Sequence, residues 1–361
     1  MNKSTLYTII LLVLFCMGLS GQPKNIKKSK VEEYVSFLNQ VDHRNDATSY
    51  VLDLFERFDY VIICERNHAE YTQWDLFYNI VNHPRFRSQI GNLYTEIGSS
   101  NYNTELESII NNNELTDSLI KARLDLFYRN FNSIPLWEKR NYYDFFFKIA
   151  QANKKTKDQV NIILSDIEFD WSKMDKEAYN AFSNNKEPYR DSIMAENIIH
   201  DIETKNRKKG LIIMNYRHAF GFNSWFKNSQ KANNTARFLK DRFPGRVATV
   251  YLNSLTDRFF GRVDFPLQKG LWDAAFLKAD INNIGFDMNG TPFGNDYFDY
   301  FPYVKQNLTY NDAFDGFIYW KHLNEHRIVY GFPEFFNENF VEEYHRRTEI
   351  IGKSARGKKR Y

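Results

Sequence analysis

The sequence predicts an α/β protein: a mostly parallel central sheet with flanking helices and a helical cap insertion. Three observations carry this expectation. Four short apolar runs, "YVIICE" (60–65), "IGNLYTE" (90–96), "VNIILSD" (160–166) and "GLIIMNYRH" (210–218), each end in polar residues, the pattern of strands buried on both faces. Helical patterns separate the four runs, as in βα units. The 361 residues are 43% hydrophobic, with 32 Phe, 23 Tyr and 6 Trp, which suffices for one large core and excludes a disordered chain.

The elements follow in chain order. "MNKSTLYTIILLVLFCMGLSGQPK" has one early lysine, an apolar run from Leu6 to Leu19, and small residues at Gly18, Ser20 and Gly21. The run is short for a bilayer span but fits a signal-peptide core. Residues 1–20 are therefore expected to be removed on export to the periplasm or beyond, leaving no stable membrane anchor. Bulky Phe15 before Cys16 argues against lipidation, and the mature chain keeps Cys64 alone, so no intramolecular disulfide is expected. Residues 21–47 read as a linker and helix, 48–350 as the main domain, and 351–361 as a disordered basic tail.

The net charge of +3 comes from the ends. Five lysines in residues 1–30 and five basic residues in 353–361 face no acids there; the body between holds 38 basic and 45 acidic residues, a charge of −7. Nothing in that body has the footprint of a nucleic-acid-binding surface, and the partner expected is a small-molecule substrate.

After the first strand, Trp74, Phe77, Tyr78 and Val81 share one helical face. Between about 99 and 158 the pattern is helical, with "LTDSLIKARLDLFYRNF" and "WEKRNYYDFFFKIAQANKK" as amphipathic runs. That is more than one crossover needs and reads as the cap. "RVATVYLNS" (246–254) and "DGFIYW" (315–320) predict two more strands, and no element is assigned over 255–312.

In open α/β sheets, ligands bind beyond the carboxyl ends of the strands. Glu65, Glu96, Asp166 and His218 stand at the ends of the four runs. The spacing Asn67–Glu70 fits a capping box and places His68 in a first helical turn, where the helix dipole keeps the imidazole neutral. Glu65 can then fix the ring's tautomer. A plain capped turn, with Glu65 paired at the surface, is the simpler reading of E-x-x-H taken alone. Arg190 precedes a helix with Met194, Ile198 and Ile202 on one face and Asp191 in its first turn. Arg190 either reaches the crevice to bind an anion or oxyanion, or pairs with Asp191 at the surface.

Other features carry less. Cys64 reads as inert core. His43, His83, His200, His322 and His326 show no paired-ligand spacing. No P-loop, G-x-S-x-G or G-x-G-x-x-G motif occurs, which argues against nucleotide binding and an elbow-type serine hydrolase.

The pieces together resemble the erythromycin esterase-like family, part of a superfamily with the haem-binding ChaN-like, Tiki and TraB-type proteins. Glu65-Arg-Asn-His68 resembles the family's G-E-x-x-H-G motif, with Cys64 and Ala69 replacing the glycines, and Glu96 resembles the acid of its second strand. "ILSDIEFDW" is similar to the G-x-D strand, "RDSIMAENI" to the R-D-x-x-M-A-x-N helix and "DAFDGFIYW" to the closing strand. "MNYRHAF" resembles the later histidine strand but spaces it N-x-x-H rather than N-x-H. The resemblance spans roughly residues 48–325. It implies a hydrolase in which His68 activates water, assisted by Glu65, Glu96, Arg190 and His218. Asp166, Asp191, Asn197 and Asn215 would support the substrate or the structure. The implied substrate is an ester, lactone or related carbonyl, with no cofactor. Two other readings stay open: a metal-dependent hydrolase with His68, Glu96 and His218 as ligands, and a binder of haem or a similar ligand with His218 or Tyr216 as axial ligand.

Overall fold

The computed structural model describes residues 28–42, 46–221, 225–227, 230–258, 263–300, 307–331 and 335–352. The expected signal peptide and most of the basic tail lie outside the described residues. Among those described, no helix is long and apolar enough to cross a membrane.

Eleven strands are described: β1 (Tyr60–Glu65), β2 (Asn92–Ser99), β3 (Asn161–Asp166), β4 (Gly210–Asn215), β5 (Trp225–Lys227), β6 (Gln230–Ala232), β7 (Val247–Leu252), β8 (Leu255–Arg258), β9 (Val263–Pro266), β10 (Asn283–Asp287) and β11 (Gly316–Trp320). Seven form one sheet in the order β10-β11-β7-β1-β4-β2-β3. All neighbours run parallel except β10, which is antiparallel to β11 at one edge. The fold class is the one the sequence predicts. β5–β6 and β8–β9 are separate antiparallel pairs.

Alternation along the central strands sends side chains to two cores. Val61, Ile63, Leu93, Leu211, Ile213 and Val250 face the helices Ala47–Leu54, Gln73–Asn82, Asn103–Ile110, Asp117–Asn130 and Arg140–Asn153. Ile62, Cys64, Tyr94, Ile212, Met214 and Tyr251 face Lys28–Leu38, Lys176–Thr204, Thr235–Arg242 and Leu271–Ala279. Covering both faces is what makes the strands apolar throughout. Three of the helices come from the stretch 99–158, and their Phe127, Phe145, Phe146 and Ile149 are buried in the first core.

Three boundaries differ from the sequence reading. β2 continues past Glu96 to Ser99, and its register against β3 shifts between Thr95 and Ser99. Gly98 permits this with φ +116°, and a side chain there would strike Leu164 and Phe131. β4 stops at Asn215, and Tyr216–Ala219 form a single helical turn, so His218 is not on a strand. This turn takes up the N-x-x-H spacing. The helix carrying Arg190 begins far upstream, capped by Asp175, and runs from Lys176 to Thr204. Arg190 therefore sits mid-helix instead of preceding it.

Candidate active site

β1, the central strand of the sheet, delivers Glu65 to its carboxyl end, and residues 66–72 turn before the next helix starts at Gln73. The capping expected of Asn67 is done otherwise. Asn67 Oδ1 accepts from Ala69 N (2.9 Å), while the Glu70 carboxylate accepts from Thr72 N (2.8 Å) and Gln73 N (2.9 Å). His68 therefore stands in the turn, outside the first helical turn, and the helix dipole does not set its charge. Arg66 is buried and donates to Glu70 (2.9 Å), to Asn253 and to the Trp320 carbonyl, so it fixes the turn from below instead of pairing with Glu65.

Glu65 is buried and accepts at Oε2 from His68 Nδ1, 2.8 Å away. This contact directs the ring's other nitrogen, Nε2, toward Glu96 Oε1 at 3.9 Å. Tyr142, on the helix Arg140–Asn153, donates to Glu65 at 2.8 Å from both carboxylate oxygens. The His68 side chain keeps 24% of its surface exposed, while Glu65 and Glu96 keep almost none. Burial alone would lower the His68 pKa, but Glu65, with Glu96 behind it, outweighs burial and holds it above the ordinary imidazole value.

Glu96 joins this pair to a deeper cluster. Its Oε1 lies 3.0 Å from Arg190 Nη1 and 3.3 Å from His218 Nε2, and its Oε2 accepts from Asn215 N at 2.8 Å. Burial would raise the Glu96 pKa, yet His218 and Arg190 hold it well below the carboxylate range. Arg190 also makes a two-pronged bond to Asp166 (2.9 and 3.0 Å). Its guanidinium is thus committed to the cluster, and the surface pairing with Asp191 does not occur. Asp191 accepts from Thr235 N (2.8 Å) and lies 2.7 Å from His218 Nδ1. His218 Nε2 lies among Glu96 Oε1 (3.3 Å), Arg190 Nη1 (3.2 Å) and Arg217 Nε (3.0 Å); burial would lower its pKa, but Glu96 and Asp191 hold it above the ordinary imidazole value. His218 is buried, its nitrogens meet these side chains, and it is not among the residues lining the cavity described below. Asn197 Nδ2 donates to the Ser165 carbonyl (3.0 Å) and Asn215 Nδ2 to the Arg66 carbonyl (3.3 Å), so both tie backbone ends together.

All nine residues singled out from the sequence thus belong to one connected cluster. A cavity of about 640 Å³ opens beside it, lined by His68, Asn67, Asn215, Tyr216, Arg217 and Tyr300 among others. Of the cluster, His68 and Asn215 reach this cavity; Glu96, Arg190 and His218 lie beneath it. Among the described residues, Glu65, His68 and Glu96 are the set that can each turn one ligand atom to a common metal ion, with those atoms within 4.8 Å of one another. His218 is not in that set, and the Arg190 guanidinium already neutralises Glu96.

Sequence reasoning missed four contributors. Tyr142 bonds Glu65, Asn141 Nδ2 donates to the His68 carbonyl (2.8 Å), Trp137 meets the His68 ring edge-on at 5.2 Å, and Arg217 touches His218. The first three lie about 70 residues downstream on an ordinary amphipathic pattern, which carries no local signal of the contact. Arg217 was open to notice as a cation beside His218.

No protein-family model matches the chain, and no curated protein matches it by sequence. Solved structures do match by shape. A mutant of the erythromycin esterase EreC, in its open conformation, superposes with a TM-score of 0.51 at 9% identity, covering 80% of this chain and 95% of that one. The chain has the erythromycin esterase fold. A Bacillus cereus protein (TM-score 0.52, 12% identity, 80% and 96% covered) and a succinoglycan biosynthesis protein (0.51, 11%, 84% and 98%) are similar in the same way. At these identities the likeness to EreC is one of fold, and the chemistry has to be argued from the cluster itself.

Proposed function

We propose that this chain is an exported hydrolase that attacks an ester, lactone or related carbonyl with water activated by His68. The observation that supports it most is the placement of His68: Nδ1 is bonded to buried Glu65, and the ring lies on the wall of the cavity. With Nδ1–H held by Glu65, Nε2 carries the lone pair and accepts a proton from water as the water oxygen attacks the carbonyl carbon. The oxyanion formed lies against the polar groups lining the cavity, Asn67, Asn215 and Arg217. Collapse breaks the carbon–oxygen bond, and the imidazolium returns its proton to the leaving alkoxide. Arg190, His218, Asp166 and Asp191 act beneath, holding Glu96 ionised and the strand ends in place.

The test is hydrolysis of a panel of chromogenic esters and lactones by purified protein, with and without a chelator. Turnover that survives chelation supports the reading, and no turnover of any member overturns it. A second reading, metal-assisted hydrolysis, is favoured by the spacing of Glu65, His68 and Glu96; turnover lost on chelation and restored by a divalent ion would select it. The export part rests on the amino-terminal pattern, and an intact amino terminus on exported material would overturn it.

The raised His68 pKa gives a pH prediction. The neutral ring is the active form, so kcat/KM is expected to rise with pH, with its acid limb above the ordinary imidazole value of about 6.5. Stability runs the other way. A folded pKa above the unfolded one contributes stability that is fully present below about 6.5 and lost as pH rises through the folded value. Rate profiles and melting curves over the same pH range check both directions.

A further inference from the structure

We propose that residues 326–330 form a strap whose inward face selects the substrate, with Ile328 and Tyr330 binding an aliphatic chain next to the reacting carbonyl. The proposal rests on the hydrolytic reading for the carbonyl, and on the geometry of the cavity for the chain. The strap lies past residue 325, beyond the stretch that carries the family resemblance. It runs antiparallel to the turn that holds His68. Tyr71 N donates to the Arg327 carbonyl (2.7 Å), Val329 N donates to the Ala69 carbonyl (2.9 Å), and Glu70 pairs with Ile328. Gly331 N donates to the Glu138 carbonyl at 3.3 Å, so the far end of the strap is tied to the helical insertion. Side chains alternate along such an extended segment. His326, Ile328 and Tyr330 line the cavity, whereas Arg327 lies over the Tyr71 ring at 5.3 Å.

The inward face of the strap presents apolar surface left open. Ile328 keeps 49% and Tyr330 62% of its surface exposed, although main-chain bonds on either side hold both in place. Single exposed hydrophobic residues are ordinary. These two share one face at the cavity that His68 lines, with Leu255 and Leu323 in the same lining. At about 640 Å³ the cavity has the size of a small-molecule site. Its polar groups beside His68 suit the carbonyl and the charge that develops on it, but they give the strap face nothing to do. An aliphatic chain on that carbonyl covers Ile328 and Tyr330 and removes apolar surface from water on both sides of the contact. The substrate class is thus an ester or lactone with an aliphatic chain of several carbons; a small polar ester would leave the strap face wet.

The experiment is binding of linear methyl ketones, from 2-butanone to 2-octanone, to the purified protein by ligand-observed NMR. These keep the carbonyl and the chain but cannot be hydrolysed. The wild type should bind 2-octanone at least about tenfold more tightly than 2-butanone, against a ceiling of about fourfold for each added methylene. The double variant Ile328→Thr with Tyr330→Thr keeps strand-forming residues at both positions. It should bind the two ketones within about threefold of each other, most of the methylene gain being lost, and melt within a few degrees of wild type. A wild type with no chain-length dependence, or a folded double variant that keeps the whole gain, overturns the proposal. So does a wild type that self-associates through these residues and shows no chain-length dependence, since the face is then an interface between copies. Should the double variant not fold, Tyr330→Thr alone should weaken 2-octanone binding by about threefold or more, and unchanged binding overturns the proposal. The ketones need no turnover, so absence of ester hydrolysis would sink the proposed function and leave this result standing. Hydrolysis of esters with no chain-length effect in ketone binding would sink the strap's role alone.

Discussion

His68→Ala is expected to lower kcat/KM for an activated ester by about 10² to 10⁴-fold, the range of a positioned general base, while the fold stays intact. The ring is partly exposed at the cavity and its loss opens no core void. Glu65 keeps its bond from Tyr142 in the variant, so the carboxylate is not left without a donor. Glu65→Gln should be nearly as damaging for a different reason. The amide can donate to Nδ1, which favours the tautomer with the proton on Nε2 and takes away the lone pair that accepts from water. A His68→Ala variant with wild-type turnover and a native melting curve would remove His68 from the mechanism.

The second large effect is on stability. Arg190 is the cation between Glu96 and Asp166, bonded to both and buried with them. Arg190→Ala removes the cation from between two buried carboxylates, and breaking such a pair typically costs about 3–5 kcal/mol. The sign with pH follows from Glu96, whose folded pKa is depressed. In the wild type its contribution is present above the unfolded value of about 4 and is lost as pH falls through the depressed folded value. The variant lacks it at every pH. The gap between wild type and variant in urea unfolding should therefore be widest near neutrality and close as the solution becomes acid. A gap below about 1 kcal/mol at pH 7, the size seen for surface pairs, would mean that Arg190 is not what holds these acids.

Much of this architecture was legible because its signals are local. The runs at 60–65 and 160–166 are apolar on both faces and end in acids, so their limits fall within a residue of β1 and β3. The R-D-x-x-M-A-x-N stretch places Arg190, Asp191 and Asn197 against β3 and His218, because helical spacing alone brings them to one side. What was not legible depends on partners distant in sequence. The sequence pairs Asn67 with Glu70 as a capping box, whereas Glu70 caps the helix itself while holding buried Arg66. No spacing rule foresees a glutamate serving both. β10 escaped because "NIGFD" is short and interrupted by Gly285, whose lack of a side chain leaves room for the Tyr50 ring. Tyr142 gave no sign because a tyrosine on an amphipathic helix is ordinary until the strand it meets is known.

The central claim is that His68 is the base that activates water. Its most direct test is chemical rescue: hydrolysis of a small activated ester by His68→Ala with added imidazole. The account predicts a rate that rises with imidazole concentration and follows the neutral form of free imidazole with pH, since the base enters the cavity that His68 lined. A folded His68→Ala protein whose hydrolysis is unchanged by imidazole at every pH would contradict it.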